Sequence, residues 1–92
     1  MTDEAKKGTI DFYTFVLSIG SSAFVHLGDA PHPETGQQVE PDLLVAKQTI
    51  DILAMLREKT KNNLTAEEEK LLETLLTDLR IRFVQRTARR EP

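Results

Sequence analysis

Two histidines and two carboxylates lie close together in the chain, in the pattern HxxDxxHxE from residue 26 to residue 34. Imidazole and carboxylate groups are common protein ligands for zinc and iron. The spacing matches no paired ligand motif such as HExxH, however. The alternative is local structure: a histidine at a helix C-terminus, a turn-capping aspartate and a solvated histidine. We therefore expect no metal and no cofactor, and the candidate ligands, should one bind, are His26, Asp29 and His32.

Several serines precede His26, but they form no catalytic constellation. A nucleophile needs a base within hydrogen-bond reach and a second group that orients the base. Ser22 lies four residues before His26, which is the spacing of an ordinary local contact in a helix. The glycines are scattered, so no glycine-rich phosphate loop is present. We expect no catalytic residue and no enzyme activity.

The C-terminal end is basic although the net charge of the chain is −3. Residues 1–79 contain seven Lys and Arg against fourteen Asp and Glu, a net −7, and residues 80–92 contain five Arg and one Glu, a net +4. Arginines can contact phosphates, but a single interleaved aromatic, Phe83, offers no stacking platform for bases. These arginines also suit the negative end of a helix dipole. The candidate anion contacts are Arg82, Arg86, Arg89 and Arg90.

The first predicted helix runs from Asp11 to Leu27, with Thr9 or Asp11 as its N-terminal cap, and stops at Gly28, which favours a left-handed cap. No charged side chain occurs from Phe12 to Val25. Apolar residues fill an arc of about 200° around this helix, and small hydroxyl residues fill the other arc and allow another helix to approach closely. We therefore predict a helix covered on every side. The apolar arc holds Phe12, Tyr13, Phe15, Val16, Leu17, Ile19, Ala23, Phe24 and Leu27; the candidate self-association residues are Thr14, Ser18, Ser21, Ser22 and Val25.

Two further helices are predicted after a proline-rich connection over residues 29–41. Helix 2 spans Pro41 to Lys61, and its polar side carries Leu44 and Met55 as a second candidate contact. Asn62 and Asn63 suit a left-handed turn. The pair Thr65 and Glu68 forms a capping box that starts helix 3, which continues to Ala88.

No segment alternates with a period of two residues, so no strand is predicted. Ninety-two residues support one domain. The prediction is an all-α, three-helix domain over residues 11–88, with a disordered tail at 1–10 and a basic tail at 89–92.

Several segments resemble a known family. TFVLSIG, HLGDAP, PETG, AKQTIDIL and LTAEEEKLL are similar to stretches of the short bacterial proteins classified as domain of unknown function 1844. The resemblance covers about residues 11–84 and departs at Asn62-Asn63, where that family has Gly-Asn. It implies a small helical bacterial protein with no assigned activity, and so no site residue can be transferred.

We predict a non-enzymatic module that self-associates as a homodimer, since an exposed apolar helix face favours association. An unidentified protein partner is a further option. One alternative is a small-molecule or lipid carrier with an apolar cleft lined by Phe12, Phe15 and Phe24. Another is a nucleic-acid-associated protein that uses the C-terminal arginines.

The uncharged stretch from Phe12 to Val25 is too short and too rich in serine for a membrane span. The polar N-terminus has no apolar signal segment, which favours the cytoplasm.

Overall fold

The computed structural model describes residues 10–90, which form three α-helices and contain no strand. We number them α1 (Phe12–Leu27), α2 (Leu43–Lys59) and α3 (Ala66–Arg90). Each helix packs against both of the others. The all-α prediction is confirmed. Of the tails predicted at 1–10 and 89–92, residues 1–9 and 91–92 lie outside the described residues, and residues 89–90 belong to α3.

Two helices begin with the caps that their sequences predict. The Asp11 carboxylate accepts a hydrogen bond of 2.8 Å from the Thr14 amide at the start of α1. At the start of α3, the Glu68 amide donates to the Thr65 hydroxyl at 3.1 Å and the Thr65 amide donates to the Glu68 carboxylate at 2.8 Å. These bonds satisfy amides that have no partner within the first turn.

The end of α1 also follows its sequence. Gly28 has φ of 83°, the left-handed conformation that glycine adopts without steric cost. The Gly28 amide donates to the Val25 carbonyl at 2.9 Å and the Asp29 amide donates to the Phe24 carbonyl at 3.0 Å, which together form a Schellman motif. A Cβ atom at Gly28 would lie 2.8 Å from Pro41, so the close packing of the connection also favours glycine here.

The boundaries of α2 and the end of α3 differ slightly from the prediction. Helix α2 begins at Leu43 rather than Pro41, because the Asp42 carboxylate caps it by accepting from the Val45 amide at 3.1 Å. It ends at Lys59, two residues early, and α3 continues to Arg90, two residues late. Asn62 adopts φ of 72°, as the asparagine pair predicts for the turn between them.

The core is a single apolar cluster to which every helix contributes. Helix α1 contributes one narrow stripe of four buried residues: Val16, Gly20, Ala23 and Leu27. Gly20 allows α3 to approach, since a Cβ atom there would lie only 2.9 Å from Cδ1 of Leu75. The buried residues of the other two helices are Ala46, Ile50, Leu53, Leu72, Leu75, Leu76 and Leu79.

Candidate functional site

Large apolar side chains on α1 remain exposed. Tyr13, Phe15 and Leu17 are 42%, 43% and 44% exposed, so a single chain leaves part of the apolar arc of α1 uncovered. The buried residues of α1 occupy one narrow stripe, Val16, Gly20, Ala23 and Leu27, so only that stripe is fully covered by the other two helices. The apolar surface left open on α1 is therefore larger than the sequence suggested.

The small residues of α1 line the side opposite its buried stripe. Thr14, Ser18, Ser21 and Ser22 are exposed and Val25 is half-buried. We call these five residues the serine face. They lie together at helical spacing and none is charged. A single chain does not cover α1 on every side, so the predicted full coverage requires a second molecule.

The serine face forms one wall of a groove with a volume of about 760 Å³. The opposite wall is the start of the α1–α2 connection, where two prolines and an alanine present apolar surface. Most of the lining is apolar, while hydroxyl groups and two imidazoles supply the polar atoms. The lining residues are Thr14, Leu17, Ser18, Ser21, Ser22, Phe24, Val25, His26, Ala30, Pro31, His32 and Pro33.

A tight turn shapes the loop wall of this groove. The His32 amide donates to the Gln37 carbonyl at 2.8 Å, and the Gly36 amide donates to the His32 carbonyl at 2.8 Å. The imidazole Nδ1 of His32 accepts from the amides of Glu34 at 3.1 Å and Thr35 at 3.4 Å. The imidazole ring of His32 therefore stabilises the turn by accepting these hydrogen bonds. The alternative interpretation of the sequence, a solvated histidine between two prolines, does not describe it.

A pair of arginines on α3 anchors the base of the loop wall. The Arg86 guanidinium binds the Asp29 carboxylate through both Nε and Nη2, and its Nη2 also donates to the Gly28 carbonyl at 3.2 Å. Nη1 of Arg82 donates to the same carboxylate at 3.1 Å. The Gln38 side chain adds a 2.9 Å bond to the Gly28 carbonyl. We call Asp29, Arg82 and Arg86 the clasp.

The opposite charges of the clasp shift the pKa values of Asp29 and Arg82. Burial alone would raise the pKa of Asp29, but hydrogen bonds and positive charge from Arg86 and Arg82 outweigh it and hold that pKa below its ordinary value. Hydrogen bonds to Asp78 and Asp29 raise the pKa of Arg82. The Arg82 guanidinium also lies over the Phe24 ring, 5.0 Å from its centroid.

These contacts revise two interpretations of the sequence. Asp29 pairs with arginines 53 and 57 residues away, rather than capping a turn. Arg82 and Arg86 are engaged by that carboxylate, so the structure gives them an internal role instead of a free anion-binding surface. Arg89 and Arg90 lie in the last turn of α3, and their side chains are outside the described part of the structure.

Within the described residues, the candidate metal ligands form no metal site and the phenylalanines of the predicted cleft form no common site. Within residues 10–90, no group of three or more His, Asp or Glu side chains is arranged to hold a metal ion. The three phenylalanines of the predicted cleft do not share one site. Phe12 packs against the core, Phe15 is exposed, and Phe24 lines the groove.

Within the described residues, none of the three helices is both long enough and apolar enough to cross a membrane.

Sequence reasoning identified the serine face but missed the loop wall and the clasp. Helical periodicity places Thr14, Ser18, Ser21 and Val25 on one stripe. No comparable rule relates Asp29 to Arg86, because ion pairs between distant segments depend on the tertiary arrangement. The only signal in the sequence is weak: Arg82 and Arg86 are four residues apart and share a helix face, where a nearby carboxylate would offset their repulsion.

Comparison with known proteins decides the family. The profile of one family, described as Domain of unknown function (DUF1844), matches residues 9–85. The chain belongs to this family. The match spans most of the chain and confirms the resemblance drawn from TFVLSIG, HLGDAP and the other segments. No curated protein and no solved structure matches the chain. The DUF1844 description carries no activity, so any function has to be argued from the geometry above.

Proposed function

We propose that this protein is a non-enzymatic interaction module that assembles as a two-fold homodimer through the serine face of α1. The observation that carries the proposal is that α1 has an uncharged surface around the side opposite its buried stripe, where a solvent-facing helix normally carries Lys, Glu or Arg. The cytoplasmic location and bacterial origin stay predictions.

Physical chemistry favours covering this surface. Removing apolar surface from water contributes about 25 cal/mol per Å². The serine face is flanked by the partly exposed side chains of Phe15 and Leu17, which together with the groove make a continuous region without charge. Small hydroxyl side chains allow a second helix backbone to come close, and each hydroxyl can bond to its own helix carbonyls. Association therefore leaves few polar groups without partners.

A second copy of the chain suits this surface better than the chain's own N-terminal segment. Residues 1–9 include four charged side chains: Asp3, Glu4, Lys6 and Lys7. Placing these charges in an apolar groove would cost desolvation free energy. Two serine faces, in contrast, bring no charge together even though the chain carries a net −3. A two-fold interface uses the same patch twice, so a neutral patch meets its own equivalent without repulsion.

The groove supports a second candidate function of a different class. Its volume of about 760 Å³ lies within the range of small-molecule sites, and its lining is mostly apolar with a few polar groups. A carrier for an apolar small molecule or lipid would use Phe24, Val25 and the loop wall rather than the three-phenylalanine cleft that the sequence suggested. Such a carrier would retain its ligand as a single chain.

A charge placed on the serine face tests the proposal directly. Sedimentation equilibrium should show a dimer for the wild type and a monomer or insoluble protein for Ser18→Glu and Ser22→Glu. The matched control is Gln48→Glu, which adds the same charge at an exposed position of α2 and should leave the dimer intact. The interface is refuted if both serine variants stay dimeric and as stable as the wild type.

A further inference from the structure

The imidazole of His32 is a hydrogen-bond acceptor inside the loop wall. Its Nδ1 atom accepts from two successive backbone amides, those of Glu34 at 3.1 Å and Thr35 at 3.4 Å. Pro33 has no amide hydrogen, so these are the first two donors that follow His32 in the chain. His32 is half-buried and lines the groove. One ring nitrogen therefore contributes directly to the shape of this wall.

These hydrogen bonds fix the protonation state of the ring. A ring nitrogen that accepts a hydrogen bond carries no proton, so His32 is neutral and its proton lies on Nε2. A second proton would bind to Nδ1, because both nitrogens of the charged ring are donors. That proton would turn the acceptor into a donor that faces two other donors. The two hydrogen bonds and the charged form of the ring therefore exclude each other.

From this arrangement we infer that the loop wall is a pH-sensitive element, ordered while His32 is neutral and loosened when acid protonates its Nδ1 atom. Histidine is the side chain whose ordinary titration falls between about pH 5 and pH 8. The bonds from the Glu34 and Thr35 amides exist only with the neutral ring. They are therefore present at the upper end of this range and lost as the pH falls. The inference goes beyond the proposed function and does not require the dimer.

His26, Glu34 and Asp29 are the other titratable groups beside this turn. Among the described residues that line the groove, His26 on α1 is the only titratable side chain besides His32, and no residue of α2 or α3 lines it. Glu34 adds a carboxylate to the turn itself. The Asp29 carboxylate, at the base of the wall, is bound by the two arginines of the clasp. The titration of His26 is therefore the one that has to be separated from that of His32.

Protonation should loosen the turn without unfolding the domain. Two backbone hydrogen bonds of 2.8 Å do not involve the ring: the His32 amide donates to the Gln37 carbonyl, and the Gly36 amide donates to the His32 carbonyl. The clasp continues to hold the base of the wall at Asp29. The serine face belongs to α1, so its helical backbone does not depend on this ring. Acid therefore changes one wall of the groove and leaves the other in place.

Nuclear magnetic resonance of the isotope-labelled full chain between about pH 8 and pH 5 tests this inference. At the upper pH, the His32 ring should show an unprotonated Nδ1 and a protonated Nε2. As the ring takes up its second proton, the backbone amide signals of Glu34 and Thr35 should shift with the same midpoint. The heteronuclear NOE of these two residues should fall in the same transition, because it reports motion on the ps–ns timescale.

Variants of the two histidines isolate the responsible ring. His32→Asn supplies a side-chain oxygen that can accept from the same amides in an Asx turn at every pH, so the Glu34 and Thr35 signals should stay constant over the range. His32→Asp offers the same acceptor and serves in case the asparagine variant folds poorly. His26→Gln removes the other histidine of the chain and should leave the wild-type transition unchanged.

Three results would overturn the inference. The first is a pair of Glu34 and Thr35 amide signals that stay in place while the His32 ring is protonated. The second is a transition in His32→Asn equal to that of the wild type, and the third is its loss in His26→Gln, because each assigns the pH dependence to another group. None of these readouts depends on the number of copies, so a failure here is distinguishable from a failure of the proposed homodimer.

Discussion

Arg86 binds Asp29 with two nitrogen atoms of its guanidinium, and so joins the last third of α3 to the residue that follows the cap of α1. The same guanidinium reaches the Gly28 carbonyl at 3.2 Å. The loop wall of the groove begins at the next residue, Ala30. A contact between residues 57 positions apart therefore sets where the wall stands.

The first prediction concerns the strength of this contact. The Asp29 side chain is only 14% exposed, so Asp29→Asn removes a charge that two partly buried arginines share. Hydrogen bonds to charged groups contribute about 1.5–3 kcal/mol. We expect Asp29→Asn to lower the free energy of unfolding by about 2 kcal/mol, measured by urea denaturation.

The matched control is Asp51→Asn, which breaks the exposed Lys47–Asp51 pair on α2, where the side chains are 60% and 64% exposed. Exposed pairs of this kind contribute about 0–1 kcal/mol, so the control should lose little stability. Equal losses in the two variants would contradict the structural role of the clasp.

The second prediction follows from the lowered pKa of Asp29. Its ordinary value is 3.8, and the arginines stabilise the charged form in the folded state. The contribution is therefore fully present above about pH 4 and is lost as the pH falls through the lowered folded-state value. The difference in unfolding free energy between wild type and Asp29→Asn should stay constant from neutral pH to about pH 5 and shrink below about pH 4. A difference that grew towards low pH would show that the sign is wrong.

The third prediction concerns the contact between α1 and α3. A single Cβ at Gly20 would already lie 2.9 Å from Cδ1 of the buried Leu75. Gly20→Val should therefore overpack the core and destabilise the protein by about 1–3 kcal/mol, measured by thermal or urea unfolding. Thr77→Val, at an exposed position of α3, is the control and should be nearly neutral.

A double variant makes that prediction specific. Leu75→Ala alone should destabilise by opening a cavity. Combined with Gly20→Val, the new valine can occupy part of the vacated space, so the double variant should be more stable than the sum of the two losses predicts. Simple additivity would mean that Gly20 acts through something other than its contact with Leu75.

The helix ends are largely predictable from local sequence. Thr65 with Glu68 and Gly28 after Leu27 mark helix ends, because each satisfies backbone groups within a few residues. The start of α2 is ambiguous in the sequence, because Pro41 and Asp42 are both typical of a helix start; in the structure Asp42 is the cap.

The candidate site was only partly predictable, because part of it depends on the tertiary arrangement of the helices and not on local sequence. Its small residues repeat with the period of a helix and so can be found in the sequence. The extent to which Tyr13, Phe15 and Leu17 stay exposed depends on how much of α1 two other helices can cover. The link from Asp29 to Arg82 and Arg86 depends on where the end of α3 lies relative to the end of α1.

Native mass spectrometry of the wild-type protein at micromolar concentration is the decisive test of the homodimer, because it reports the number of copies and any retained ligand together. Two copies of the chain with no additional mass are expected. A single chain would contradict the homodimer, and a single chain that carries a small apolar molecule would instead assign the groove to ligand binding.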